Sequence, residues 1–200
     1  YFSGENVSEV LNGAEIAWAN GADLPTVNGI PIECFEGEDL DLSHLELQNG
    51  LMSHQNYRNW CTLMEAELAV LQDIGFDKID RSKFFGQSIY ANEKTVTLSS
   101  LINDKTKNDG WTSNTDRAIG LHIYGNNNDV TLNADADIEA TGSYSMGVRI
   151  DGAGNTLTIN DGVQIAVGDD NNKDIDNYGI SVNYGKNHNV TIGSNASVTA

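Results

Sequence analysis

The sequence predicts a mixed fold: a small, mainly α-helical and irregular segment over residues 1–85, then a right-handed parallel β-helix over residues 86–200. Three observations carry this. The apolar pattern changes from a helical period to strict alternation near Gly86. Beyond that point, short runs rich in Val, Ile and Thr are separated by Asn, Asp and Gly. Four of these runs superimpose, and their starting glycines (Gly86, Gly120, Gly147 and Gly179) lie 34, 27 and 32 residues apart.

In chain order, residues 5–11 read as a short helix opened by Ser3 and closed by Gly13. Residues 14–42 read as irregular, with turn signals at Asn20-Gly21, Asn28-Gly29 and Glu36-Gly37. The clearest helix spans 59–73. Trp60, Met64, Leu68 and Leu71 fall on one face, and Leu63, Val70 and Ile74 widen it. Gly75 stands where a left-handed C-cap is expected. Glu65 and Glu67 read as the solvated side of that helix, not as an acid/base pair.

The second half is built from repeats. Gly120-Leu-His-Ile-Tyr-Gly-Asn-Asn-Asn-Asp-Val-Thr-Leu132 aligns with Gly147-Val-Arg-Ile-Asp-Gly-Ala-Gly-Asn-Thr-Leu-Thr-Ile159. The copy at Gly179 is one residue longer, and that at Gly86 is weaker. Spacing of this size marks a solenoid. Each unit offers a Gly-Φ-x-Φ strand, a Val-Thr-Leu-type strand and a third strand, such as 137–140 or 163–166. Together they make one triangular coil. A lone coil cannot bury its apolar row and needs neighbours above and below. Val130 and Leu132 are expected inside, with Thr131 outside. Residues 108–115 and 168–177 read as loops that absorb the unequal repeat lengths.

Composition narrows the function. The 200 residues hold 29 acidic and 11 basic side chains, a formal charge of -18. Nucleic acid needs Lys and Arg for its phosphates, so it is an unsuitable partner, as is an anionic membrane surface. No run reaches the roughly 18 apolar residues of a membrane span, and no secretory leader is legible. Both ends read as points inside a longer chain, and a monomer is expected. Cys34 and Cys61 allow a disulfide in an oxidising compartment, or two buried thiols. Asp170, Asn172 and Asp174 alternate as in a calcium loop, but Ile175 and Ser181 stand where its Gly and Glu belong, so a solvated insertion is expected. His122 and His188 read as solenoid surface, and His54 as supporting a turn or facing solvent.

The repeat block over 86–200 resembles the β-helical passenger of bacterial autotransporters (type V secretion). The phrases from Gly147 to Ile159 and from Tyr184 to Ile192 carry the resemblance. It implies a secreted or cell-surface location, anchored in the outer membrane through a downstream barrel. Residues 1–85 resemble the C-terminal subdomain of metzincin zinc peptidases, leishmanolysin-like ones most closely. Asp41-Leu-Ser-His-Leu-Glu46, Gly50-Leu-Met-Ser53 and Ala66-Glu-Leu-Ala-Val-Leu-Gln-Asp-Ile-Gly-Phe76 carry it. The resemblance implies that His44 is the third zinc ligand and Met52 the Met-turn residue beneath the metal. Three protein ligands would leave a position for an activated water.

No His-Glu-x-x-His occurs in these 200 residues. The chain by itself is therefore not expected to be a competent peptidase or to retain zinc, although an intact parent would. Three readings stand open: a zinc metallopeptidase fused to a β-helical stalk, an adhesive or structural passenger whose peptidase-like segment only caps the solenoid, and a polysaccharide-active β-helix. The protein or host-surface ligand is not legible.

Overall fold

The computed structural model describes residues 1–12, 29–33, 35–36, 39–40, 42–54, 62–101, 110–168 and 176–200. Cys34, Cys61, Gly13, Trp60 and the acidic run 169–175 lie outside the described residues. The chain divides into two compact units, Tyr1–Arg81 and Ser82–Ala200. Among the described residues, no helix is long and apolar enough to cross a membrane.

The first unit pairs two helices, α1 (Glu5–Leu11) and α2 (Glu65–Asp73), with a two-residue antiparallel hairpin, β1 (Phe35–Glu36) and β2 (Asp39–Leu40). Helix α1 buries Val7 and Leu11, and α2 buries Ala66, Leu68, Ala69 and Val70. The N-cap of α1 is Gly4, not Ser3, and it has no capping side chain of its own. Asp73, at the far end of α2, supplies the cap. Its carboxylate accepts from the Asn6 amide (3.0 Å), the Asn6 side chain (2.8 Å) and the Val7 amide (3.0 Å). A side chain at position 4 would collide with that carboxylate, which is why glycine stands there.

Helix α2 starts later than position 59. Met64 is extended (φ -91°, ψ 157°) and serves as N-cap. At the other end the Gly75 amide bonds Gln72 O and the Phe76 amide bonds Leu71 O, with Gly75 at φ +106°. That is a Schellman closure, and it needs a left-handed residue.

The second unit is a stack of four three-stranded coils. The first holds β3 (Phe85–Tyr90), β4 (Thr95–Leu98) and β5 (Gly110–Ser113). The second holds β6 (Ile119–Asn126), β7 (Asp129–Leu132) and β8 (Asp137–Ala140). The third holds β9 (Met146–Ala153), β10 (Thr156–Ile159) and β11 (Gln164–Val167). The fourth holds β12 (Tyr178–Val182), β13 (Asn189–Ile192) and β14 (Ser197–Thr199). Equivalent strands pair in parallel into three four-stranded sheets: β3-β6-β9-β12, β4-β7-β10-β13 and β5-β8-β11-β14. This is a β-helix-like solenoid.

Register follows the sequence repeat. Val96, Val130, Leu157 and Val190 line up in one row, and Leu98, Leu132, Ile159 and Ile192 in the next. In the third sheet, Trp111, Ile138, Ile165 and Val198 form a row. These rows meet in one apolar interior. Residues 110–113, expected in a loop, are strand β5, because Trp111 fills the inward position its register partners give to Ile and Val. Burying one such side chain contributes roughly 1.5–3 kcal/mol. The interior needs a neighbouring coil to close it: Ile159 is fully buried, whereas Ile192, its equivalent in the last coil, is 48% exposed.

A polar column runs beside this interior, at the turn between the first and second strands of each coil. Asn128 Oδ1 accepts from the Lys94 amide (3.1 Å), and Asn155 Oδ1 from the Asn128 amide (2.9 Å). Asn155 Nδ2 donates to Gly125 O (2.9 Å) and Asp151 O (3.1 Å). The column ends at His188, whose Nδ1 accepts from the Asn155 amide at 3.3 Å. Half-buried His188 is thus a ladder residue and not simply surface. Just before each rung, Glu93, Asn127, Gly154 and Asn187 all take positive φ, which turns the chain inward. Buried turn amides must find acceptors, and the ladder supplies them.

Asn155→Ala should cost about 2–3 kcal/mol in urea unfolding, because it strands the Asn128 amide and the Gly125 carbonyl in a buried site. Asp73→Ala should cost about 1 kcal/mol, as loss of an N-cap does. Burial raises the Asp73 carboxyl pKa, but the bonds from Asn6 and Val7 and the nearby Arg81 charge outweigh burial and hold it below its ordinary 3.8. Its contribution is therefore full above pH 3.8 and lost as pH falls below it. Acid unfolding curves of wild type and Asp73→Ala should converge in that range.

Candidate functional site

In the first unit, residues 31–33 run antiparallel to residues 44–46. The Glu33 amide bonds His44 O (3.0 Å), the Glu46 amide bonds Pro31 O (2.7 Å), and Ile32 bridges to Leu45. This pairing brings Glu33 beside His44. The Glu33 carboxylate lies 2.8 Å from His44 Nδ1, and the Ser43 hydroxyl is also at 2.8 Å. The His44 side chain is 30% exposed. The His54 ring meets it edge-on, with centroids 5.7 Å apart. Glu46 completes the group. Burial raises its carboxyl pKa, the like charge of Glu33 adds to this, and His54 and His44 partly offset it.

Met52 belongs to the same neighbourhood. The Leu45 amide, one residue after His44, bonds Met52 O at 3.1 Å. Residues 47–53 turn tightly, with the Gly50 amide on Leu47 O (3.0 Å) and the Ser53 hydroxyl on Leu47 O. The turn is fixed from α2: Glu67 accepts from the Met52 amide (2.6 Å) through Oε1 and from the Met64 amide (2.7 Å) through Oε2.

Glu67 and Glu65 are therefore not the solvated side of their helix. Glu67 is fully buried, and Glu65 is 5% exposed and paired with Arg81 at 3.0 Å. A buried carboxylate needs donors, and here backbone amides and a guanidinium provide them. A helical wheel places both residues only relative to α2 and says nothing of the turn that comes to meet them.

A ligand histidine usually gives its second ring nitrogen to a carboxylate. His44 has that arrangement with Glu33, which would leave Nε2 for a metal. Among the described residues, however, no group of three or more His, Cys, Asp or Glu side chains is arranged to hold a metal ion. The described residues, His44 included, do not make up a zinc site.

The second unit holds a buried polar cluster around His122, a residue the sequence places on the solenoid surface. His122 is fully buried, as are its neighbours Arg149 and Asp151. In the β3-β6-β9 sheet Ser88, His122 and Arg149 are successive register partners, and Tyr90, Tyr124 and Asp151 form the next row. Asp151 Oδ2 takes both His122 Nε2 (2.8 Å) and Arg149 Nε (2.6 Å). Phe85, Tyr90 and Tyr124 surround the imidazole, with ring centroids at 6.5, 5.6 and 6.0 Å. Burial raises the Asp151 carboxyl pKa, but Arg149 and the His122 hydrogen bond outweigh it and hold it below its ordinary 3.8.

Ser88, His122 and Asp151 are the residue types of an acyl-transfer triad. The first link is missing: neither the Ser88 hydroxyl nor His122 Nδ1 has a hydrogen-bond partner, and both atoms are buried. A nucleophile must be bonded to its base and reachable by substrate, and neither condition holds here. What the arrangement does is hold an ion pair beside a buried imidazole. The one sequence signal for it was Arg149-x-Asp151, two like-facing residues on a strand, with His122 one repeat earlier.

Glu67→Ala should release the turn at 47–53. It leaves the Met52 and Met64 amides unsatisfied, so a loss of about 2–3 kcal/mol is expected. Thermal melts, with amide exchange at Met52 as the local readout, check this.

No protein-family model, no curated protein and no solved structure matches this chain.

Proposed function

We propose that this chain comes from a secreted bacterial surface protein, in which a metzincin-type zinc peptidase unit is followed by a right-handed β-helical passenger. The observation that supports it best is the His44–Glu33 contact at 2.8 Å, one residue from the chain segment bonded to Met52. A carboxylate on Nδ1 is what orients an imidazole toward a metal, and the 47–53 turn lies where the resemblance expects a Met-turn. In the intact parent, His44 would supply one ligand and Met52 an apolar floor. Zinc bound there would provide Lewis-acid activation of a water. The work of this chain is to hold the imidazole, through Glu33, and the turn, through Glu67.

Support for the passenger half is the stack of three parallel ladders. Each first-sheet strand returns to the same sheet through two further strands, and parallel crossovers of this kind are right-handed in nearly all proteins. The excess of acidic side chains suits a soluble, extracellular stalk.

The test is made on the parent protein. Its gene should encode a His-Glu-x-x-His helix upstream of Tyr1, and the purified protein should carry about one zinc per chain by elemental analysis. His44→Ala should lose that zinc while the solenoid stays folded. A complete reading frame without the helix, or zinc content unchanged in the variant, overturns the peptidase reading and leaves an adhesive passenger with a structural cap.

A further inference from the structure

We propose that the outward face of the β4-β7-β10-β13 sheet is an ice-binding surface, an array of threonines that holds water at the spacing of the ice lattice. Thr97, Thr131, Thr158 and Thr191 are successive register partners, and Thr95, Asp129, Thr156 and Asn189 form a second row beside them. Val96, Val130, Leu157 and Val190 lie between the two rows and belong to the inward set, so these eight side chains point outward. Thr97 and Thr191 are exposed, and Thr131 and Thr158 between them are half-buried.

Spacing points to the ligand. Strands in such a sheet lie about 4.8 Å apart, and alternate residues along a strand about 6.7 Å. The four strands pair residue on residue with no offset, so the outward positions repeat on a rectangle of those two lengths. The prism face of ice repeats its oxygens on a rectangle of similar size. Threonine suits such a face twice over. Its hydroxyl bonds a lattice water, and its methyl, held by a stiff β-branched χ1, orders the water beside it.

Strand propensity alone does not produce this row. On the β5-β8-β11-β14 sheet the outward partners are Thr112, Glu139, Ala166 and Thr199, a broken and charged series. The chain carries a charge of -18, yet of the eight outward side chains on the threonine face only Asp129 is charged. A neutral face suits a neutral partner. The face measures about 14 by 13 Å, roughly a quarter of the ~800 Å² that each side of a stable protein interface buries, so a second copy of the chain is a poor occupant. None of the eight is aromatic, so a sugar finds no ring to stack on. A water lattice needs neither a large footprint nor a pocket, only matched points.

Single ice crystals grown in a solution of the full chain test the face. They should become faceted and stop growing over a supercooling gap that buffer alone does not give. Thr131→Lys combined with Thr158→Lys sets two long charged side chains at the centre of the array and should abolish the gap, with urea unfolding as the check that the solenoid is intact. Glu139→Lys, on the outward row of the third sheet, should leave the gap unchanged. If the double variant does not fold, Thr191→Lys in the last coil takes its place and should narrow the gap. Rounded crystals and no gap with wild type overturn the proposal, as does a gap that survives substitution of the threonines in a folded chain. Sedimentation that shows a wild-type dimer, lost in the double variant, assigns the face to a second copy and overturns it too. Zinc binding at His44 is a separate measurement, so the two readings fail independently.

Discussion

The second unit depends on one constraint: an apolar row of a single coil can be dried only by the coils stacked on it. Each coil presents two or three inward side chains per strand, too few to exclude water alone. Stacking solves this by register. Val130 and Leu132 are closed on by Leu157 and Ile159, and Ile138 by Ile165. Once that register is set, the rest follows. The turns must repeat at the same height, so their amides face one another and need acceptors, and the Asn128–Asn155–His188 column answers that need. Glycine stands at 152 (φ +105°), at the end of β9, because a methyl there would run into the Gly125 carbonyl of the preceding coil.

A second theme is where an acidic chain puts its carboxylates. Among the 29 acidic side chains, three show this most clearly. Asp73 caps a helix it does not belong to, Glu67 bonds two backbone amides from different segments, and Asp151 joins a guanidinium and an imidazole. In each case the donors are fixed by tertiary structure. The desolvation cost of a buried carboxylate is offset by charge-assisted hydrogen bonds, so the group locks segments that are distant in sequence. Asp73 and Asn6 are 67 residues apart, Glu67 and Met52 15.

The two candidate functional regions differ in kind. Around His44 an imidazole is partly open and oriented by a carboxylate, which is a posture for binding. Around His122 the imidazole is fully buried beside three aromatic rings and shares a carboxylate with Arg149, which is a posture for holding structure. Chemistry at the first would need ligands beyond the described residues. Chemistry at the second would need an access route that its complete burial denies.

By itself the sequence determined the repeat, its phase and its inward residues, because side-chain alternation in a strand is a local property and glycine marks each restart. It also located helix α1 and the Gly75 closure of α2, whose bonds run to Gln72 and Leu71, although the cap of α1 comes from distant Asp73. The His44–Met52 assignment came from family resemblance, and the structure adds proximity to it. Tertiary structure alone decided which polar residues go inside. His122, Arg149, Asp151 and Glu67 occupy positions that alternation or a helical wheel marks as outward, and such patterns report a side chain's direction, not what lies opposite it. The strand at 110–113 was likewise settled by a distant partner, Trp111 filling a row set by Ile138, and the start of α2 is tied through Glu67 to Met52, 15 residues back.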